Sequence, residues 1–200
     1  MTIARAVRPN VHALIMAGGR GQRLYPLTAS RPKPAIPFGG VFRILDFALS
    51  NCLNSGLSRV SQLTQYRHDE LQDYIQQSWS GLWTGMMREP PVCLPPSEGN
   101  RYRGTADAVF QNIAALRQRG PEFVLILSAD QVYHMDYREL LRYHAETNAD
   151  LTIATVEHSL SAAKHFGVVV VSHTPKHTRP IVVRVPPRMR RRPVTSSRAA

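Results

Sequence analysis

The sequence predicts an α/β fold with a mostly parallel sheet, on three observations. Apolar runs with the length and character of buried strands occur at 13–17 and 123–128. Segments of helical periodicity alternate with such runs, the pattern of βα units. Three polar or glycine-rich points, 18–21, 65 and 130, each follow a strand candidate, and open α/β sheets bind ligands beyond the carboxyl ends of their strands.

Residues 1–10 form a patternless lead-in. The first strand breaks at Gly18, Gly19 and Gly21, with Arg20 and Arg23 interleaved. Residues 26–40 contain four prolines and two glycines and read as a long ordered loop, which compact domains keep mainly for function. A helix is expected at 42–55, with Leu45, Leu49, Cys52 and Leu53 on one face and Gly56 at its C′ position. A strand at 57–64 leads to a helix at 69–80 that carries Leu71, Tyr74, Ile75 and Trp79 at helical spacing. Residues 83–103, rich in Pro and Gly, read as a second long loop. Thr105 is the expected N-cap of a helix to 119, with Val109, Ile113 and Leu116 inward and Gly120-Pro121 as the stop. After the strand at 123–128, Asp136 and Glu139 begin a helix to about 147. A strand at 151–156, a short helix at 160–165 and a strand at 168–171 complete the pattern.

Composition excludes several classes. The chain is 43% hydrophobic and 20% charged, as ordinary globular domains are. No apolar run approaches the roughly 18 residues of a membrane helix, and no signal-peptide core is present. Cys52 and Cys93 lack CxxC spacing and are expected to be reduced, buried thiols of a cytoplasmic protein. The net charge of +11 is mostly local: residues 179–200 hold seven arginines and no acid, which leaves 18 basic against 14 acidic residues, or +4, in 1–178. The stretch 176–200 therefore reads as a disordered Arg/Pro-rich tail. The weakly basic remainder suits phosphate substrates, and a tail-driven nucleic-acid binder is the disfavoured alternative.

The glycine loop carries the first chemistry. Glycines let backbone amides approach an anion closely, and arginines add forked donors that match phosphate oxygens. A Walker loop is excluded because Gly21 is followed by Gln22 and Arg23, and a dinucleotide fingerprint is excluded because Leu24 stands where its third glycine belongs. An Arg/Gly-rich surface turn is the bland alternative. The eight histidines show no metal-ligand spacing.

Ordered motifs then narrow the reading. The run Leu-Ile-Met-Ala-Gly-Gly-Arg-Gly-Gln-Arg-Leu at 14–24 resembles the signature of sugar-phosphate nucleotidyltransferases. Lys-Pro-Ala-Ile-Pro-Phe-Gly-Gly from Lys33, Phe-Arg-Ile-Leu-Asp-Phe from Phe42, Tyr-Arg-Gly-Thr-Ala-Asp from Tyr102 and Leu-Ser-Ala-Asp-Gln-Val-Tyr from Leu127 are similar to the glucose-1-phosphate adenylyltransferase family. The resemblance implies a Rossmann-like nucleotidyltransferase domain over 11–175, C-terminally incomplete. It also implies transfer of the adenylyl group of ATP to glucose 1-phosphate with Mg²⁺, giving ADP-glucose and pyrophosphate for glycogen or starch synthesis, and a homo-oligomer at full length.

Residue by residue, the resemblance assigns the triphosphate to Gly18, Gly19, Gly21 and Arg23, and the pyrophosphate side to Lys33. It assigns the nucleotide pocket to Gln65, Tyr102, Gly104 and Asp107, the Mg²⁺ to Asp130, and the sugar ring to Gly167. A single hard carboxylate after a strand suits a water-rich Mg²⁺ site. Each has a plainer reading: Lys33 as a loop cap, Gln65 as a strand closure, and Asp107 as a carboxylate favoured in a helix's first turn without any ligand.

Departures matter as well. Arg101 stands where bacterial relatives often carry tryptophan, Ser30 replaces a basic residue some relatives use for activators, and Asp130 follows Ser-Ala rather than a small residue and Gly. After Ser172 the family's Glu-Lys-Pro segment, its second metal-binding aspartate and its β-helix domain do not follow, the expectation for a truncated or frameshifted gene. The alternatives are a catalytically incomplete nucleotide-binding remnant and a related uridylyl or thymidylyl transferase. The Tyr102–Asp107 run looks like the adenylyl branch.

Overall fold

The computed structural model describes residues 10–87, 89–97, 101–156, 159 and 168, and the backbone of 181–183. It divides into two units, one ending at Asp136 and one beginning at Tyr137.

In the first unit, strands β1 (Val11–Met16), β4 (Arg59–Leu63), β5 (Val92–Leu94) and β6 (Phe123–Ser128) form one sheet in the order β5-β4-β1-β6. All its pairings are parallel. Strand β1 is buried on both faces because it lies inside the sheet: Ala13, Leu14 and Ile15 are wholly enclosed. A two-residue antiparallel pair, β2 (Pro37–Phe38) and β3 (Phe42–Arg43), leads into helix α1 (Ile44–Asn54). The phenyl ring of Phe47 on α1 meets Phe38 edge-on at 5.5 Å, which seats this hairpin inside the long proline loop.

Helix α1 buries Leu45, Leu49, Cys52 and Leu53, the expected face. Gly56 then takes φ +73, the left-handed turn that glycine permits at low cost. Helix α2 (His68–Ser78) buries Leu71 and Ile75. Both thiols are free, Cys52 buried and Cys93 half-buried.

The loop expected at 83–103 is in part ordered structure. Helix α3 (Ser80–Met86) runs through Trp83, which is fully buried with its ring edge-on to Trp79 at 6.2 Å. Burial of that indole outweighs the helix-weakening Gly81 and Gly85. Residues 92–94 then form β5, paired with β4 although prolines flank them on both sides. Proline is tolerated at such an outer position of a sheet.

The helix expected over 105–119 is two: α4 (Thr105–Gln111) and α5 (Ile113–Arg119). At Asn112 the side-chain amide donates to Ala108 O at 2.9 Å, while its backbone N–H goes to Val109 O instead. That exchange breaks the i→i−4 ladder. Of the three residues expected inward, Leu116 is buried and Val109 and Ile113 are half-buried. Thr105 is not the N-cap. Gly104 occupies that position without a side-chain bond, and Asp107 reaches back to accept from Arg103 N–H at 2.9 Å.

Strand β6 is half-buried rather than buried. Leu125 and Leu127 face inward, while Val124 and Ile126 are about half exposed. Helices α4 and α5 pack on the neighbouring columns, where Leu14, Leu63, Ala108 and Leu116 form one cluster.

In the second unit, α6 (Tyr137–Glu146) starts where Asp136 and Glu139 place it, and β7 (Leu151–Ile153) pairs antiparallel with β8 (Ile181–Val183). Strand β7 is shorter than expected, and β8 lies within the stretch read as a tail. The expected helix at 160–165 lies outside the described residues, as does the strand at 168–171 apart from Val168. No helix among the described residues is long and apolar enough to cross a membrane.

Candidate active site

Strand β1 has β4 on one side and β6 on the other, so the connections leaving its carboxyl end diverge and a crevice opens there. The chain turns into the glycine loop just beyond two ladder extensions, Ala17 N–H to Leu63 O at 2.9 Å and Ala129 N–H to Met16 O at 3.2 Å. A Cβ at Gly18 would sit 3.4 Å from Gln65 Cβ, so the loop passes close over the end of β4. Gly21 is more constrained. It takes φ +66, and a Cβ there would lie 2.8 Å from Lys33 Cβ and 2.9 Å from Thr28 Cγ2. Thr28 Oγ1 also donates to Gly21 O at 3.0 Å. The glycine loop and the proline loop are thus keyed together, and the key holds the stem of Lys33.

Lys33 Nζ reaches Asp130 Oδ2 at 2.8 Å. The other carboxylate oxygen of Asp130 accepts from Ser128 Oγ. Burial works to raise the Asp130 pKa, but hydrogen bonds from Lys33 and Ser128 and the ammonium charge outweigh it, and the carboxyl stays below its ordinary range. An ionised carboxylate therefore stands beside the glycine loop. Among the described residues no three His, Cys, Asp or Glu side chains gather as a protein-only metal site requires. The donor set fits a hard cation completed by phosphate oxygens and water.

A cavity of about 430 Å³ extends from this pair, lined at one end by Gly18, Gly19, Arg20, Lys33 and Asp130 and at the other by Gln65, Arg101, Tyr102 and Gly104. The far end is set by hydrogen bonds. Gln65 Oε1 accepts from Tyr102 N–H at 2.6 Å, and Tyr102 Oη donates to Leu94 O at 3.0 Å. Burial raises the Tyr102 pKa against an opposing bond from Asn112, which keeps the phenol protonated. Gly104 has extended backbone, φ 169, and a Cβ there would meet nothing within 4 Å. An adjoining cavity of about 450 Å³ shares Gly19, Arg20, Lys33 and Asp130 and adds Gly21 and Arg23.

The structure therefore brings together Gly18, Gly19, Gly21, Arg23, Lys33, Gln65, Tyr102, Gly104 and Asp130. Asp107 lies off the cavity wall. It accepts from Arg103 N–H and from Gln111 Nε2 at 2.8 Å, and these bonds, the first above all, lower its pKa. Gly167 lies outside the described residues. Arg20, one of the two interleaved arginines, lines both cavities, and Ser128, whose hydroxyl bonds Asp130, carries no signal in the sequence beyond standing two residues before it.

A family model described as Nucleotidyl transferase matches residues 12–182, running past Ser172. The glucose-1-phosphate adenylyltransferase of Methylococcus capsulatus is 52% identical over 170 residues, which cover 84% of this chain and 40% of that protein. Proteins of the same name from Nitrosococcus oceani and Nitrosomonas europaea are 50% and 49% identical, over 84% and 86% of this chain and 40% and 42% of theirs. The chain thus spans about 40% of the length of the curated relatives it matches. A match over most of its residues, on a sheet whose glycine loop, Lys33 and Asp130 meet at the switch point, makes this chain a member of the nucleotidyl transferase family.

Proposed function

We propose that the chain binds ATP at the carboxyl end of its sheet and takes part in adenylyl transfer to glucose 1-phosphate. The observation that carries this reading is the convergence of three strand-end segments on one cavity that holds Lys33 and Asp130 2.8 Å apart. Identity of about half to glucose-1-phosphate adenylyltransferases supports it. In the proposed reaction a phosphate oxygen of glucose 1-phosphate bonds to the α-phosphorus of ATP, and the bond from that phosphorus to the bridging oxygen breaks, releasing pyrophosphate. Catalysis of such a displacement is mainly positioning and neutralisation of charge.

In this reading the amides of 18–21 and the guanidinium of Arg23 hold the triphosphate, and Lys33 balances charge on the departing pyrophosphate. Gln65, Tyr102 and Gly104 line the nucleoside end. Asp130 would hold Mg²⁺ together with phosphate oxygens and water, and the cation supplies further neutralisation of phosphate charge. Gly167 would approach the sugar. A cytoplasmic location fits the two free thiols.

Incubation with ATP, glucose 1-phosphate and Mg²⁺ tests the whole reading through pyrophosphate release, and calorimetry with ATP tests its first half. Binding without release restricts the chain to nucleotide binding. A folded sample that shows no ATP binding overturns the proposal.

A further inference from the structure

Tyr66, three residues beyond the end of β4, stands between two guanidinium groups. Arg20 Cζ lies 5.6 Å from its ring centroid and Arg67 Cζ 5.8 Å. Arg67 Nε also donates to Tyr66 Oη at 3.4 Å. Arg67 holds φ +48, an uncommon conformation for a residue with a side chain.

Arg20 occupies a particular place. It lines both cavities of the site and a third hollow of about 430 Å³ behind the glycine loop, which Tyr66 also lines. Arg20 is itself exposed, so close packing does not fix the direction of its side chain. Asp130, on the wall of the same cavity, is paired with Lys33, and the carboxylate of Asp107 with Arg103. Arg20 has no carboxylate partner among the described residues. An aromatic face attracts a guanidinium through its quadrupole, and this attraction persists at exposed sites. The Tyr66 ring lies within reach of such an attraction to the Arg20 head.

We propose that Tyr66 is a positioning residue: its ring holds the Arg20 guanidinium at the seam of the two cavities, aimed at the phosphate chain of a nucleotide. The ligand in this statement rests on the nucleotidyl-transfer reading; the relation of ring to guanidinium does not.

Two measurements on the full chain test the proposal. The first is NMR of the arginine Nε–H resonances. In the parent and in Tyr66→Phe the Arg20 resonance is displaced by the ring current, and in Tyr66→Leu it returns to the position of a free arginine. The second is calorimetry with inorganic pyrophosphate. Tyr66→Leu weakens binding about threefold, the size of an exposed cation–π contact, and Tyr66→Phe retains it. In an Arg20→Gln background Tyr66→Leu has no further effect. An Arg20 resonance indifferent to Tyr66→Leu overturns the proposal, as does an undiminished loss of affinity in the Arg20→Gln background. A folded parent that binds no pyrophosphate counts against the nucleotidyl-transfer reading instead, and the resonance then decides the positioning relation alone.

Discussion

Lys33 Nζ and Asp130 Oδ2 lie 2.8 Å apart across the switch point of the sheet, joining residues 97 positions apart in the chain. The pair is partly exposed, the lysine side chain 26% and the aspartate 44%, so it adds little to stability, at most about 1 kcal/mol. Its worth is therefore local. A phosphate that takes Lys33 releases an oxygen of Asp130, and a cation that takes Asp130 releases Lys33. Lys33→Ala is expected to leave urea unfolding within about 1 kcal/mol of the parent while weakening ATP binding about tenfold or more by calorimetry. Equal loss of fold and of binding would show that the pair is structural.

Gly21 tests how the loop holds that lysine. With φ +66, an alanine costs about 1–2 kcal/mol in backbone strain. Its Cβ, 2.8 Å from Lys33 Cβ, must also push the lysine stem away. Gly21→Ala should lower stability by about 2–3 kcal/mol in denaturant titrations and weaken ATP binding as well. Gly19→Ala, where a Cβ meets open space, should leave stability nearly unchanged.

Local signals made the glycine loop, β1, α1 and α6 legible: an apolar run, a helical stripe and a stop residue each lie within a dozen positions. The members of the site were legible through ordered motifs rather than through spacing, since nothing in the letters places Gln65 against Tyr102. Strand β5 escaped because three residues between prolines carry no period. It exists because β4 offers a ladder, with Thr64 N–H reaching Leu94 O at 3.0 Å. The break at Asn112 escaped because an amide that bonds its own helix looks, in sequence, like any polar helical residue. Helix α3 escaped because it rests on the burial of Trp83 against Trp79, with the indole N–H 3.4 Å from Ser58 O, contacts that no local period announces.

Asp46 shows the same limit in the core. It is buried, yet it accepts from Tyr74 Oη at 2.7 Å, Trp79 Nε1 at 2.8 Å and Arg43 N–H at 2.7 Å. One carboxylate thereby ties the hairpin, α1, α2 and the start of α3, while the Arg43 guanidinium stacks 3.7 Å from the Tyr74 ring centroid. Removal of the carboxylate leaves three donors without their acceptor. Asp46→Ala is expected to cost about 3–5 kcal/mol in chemical unfolding, and Asp46→Asn less, because an amide oxygen still accepts.

The pH dependence of stability turns on His12. It is 2% exposed, with Nε2 2.9 Å from Ser61 Oγ and Nδ1 without a partner. Burial first, then the charges of Arg119 and Arg59, push its pKa down to about 4, with Glu89 opposing. Protonation would create a second buried N–H with nothing to receive it. The folded state therefore prefers neutral imidazole. Its contribution is whole above pH 6.5, falls as pH drops from there, and levels off below about pH 4, where the folded chain also takes up the proton. The loss amounts to about 3 kcal/mol. Urea unfolding at steps from pH 7.5 to 4 should show this slope in the parent and a shallower one in His12→Gln, which cannot titrate. Parallel slopes in the two chains would mean that His12 is not the group responsible.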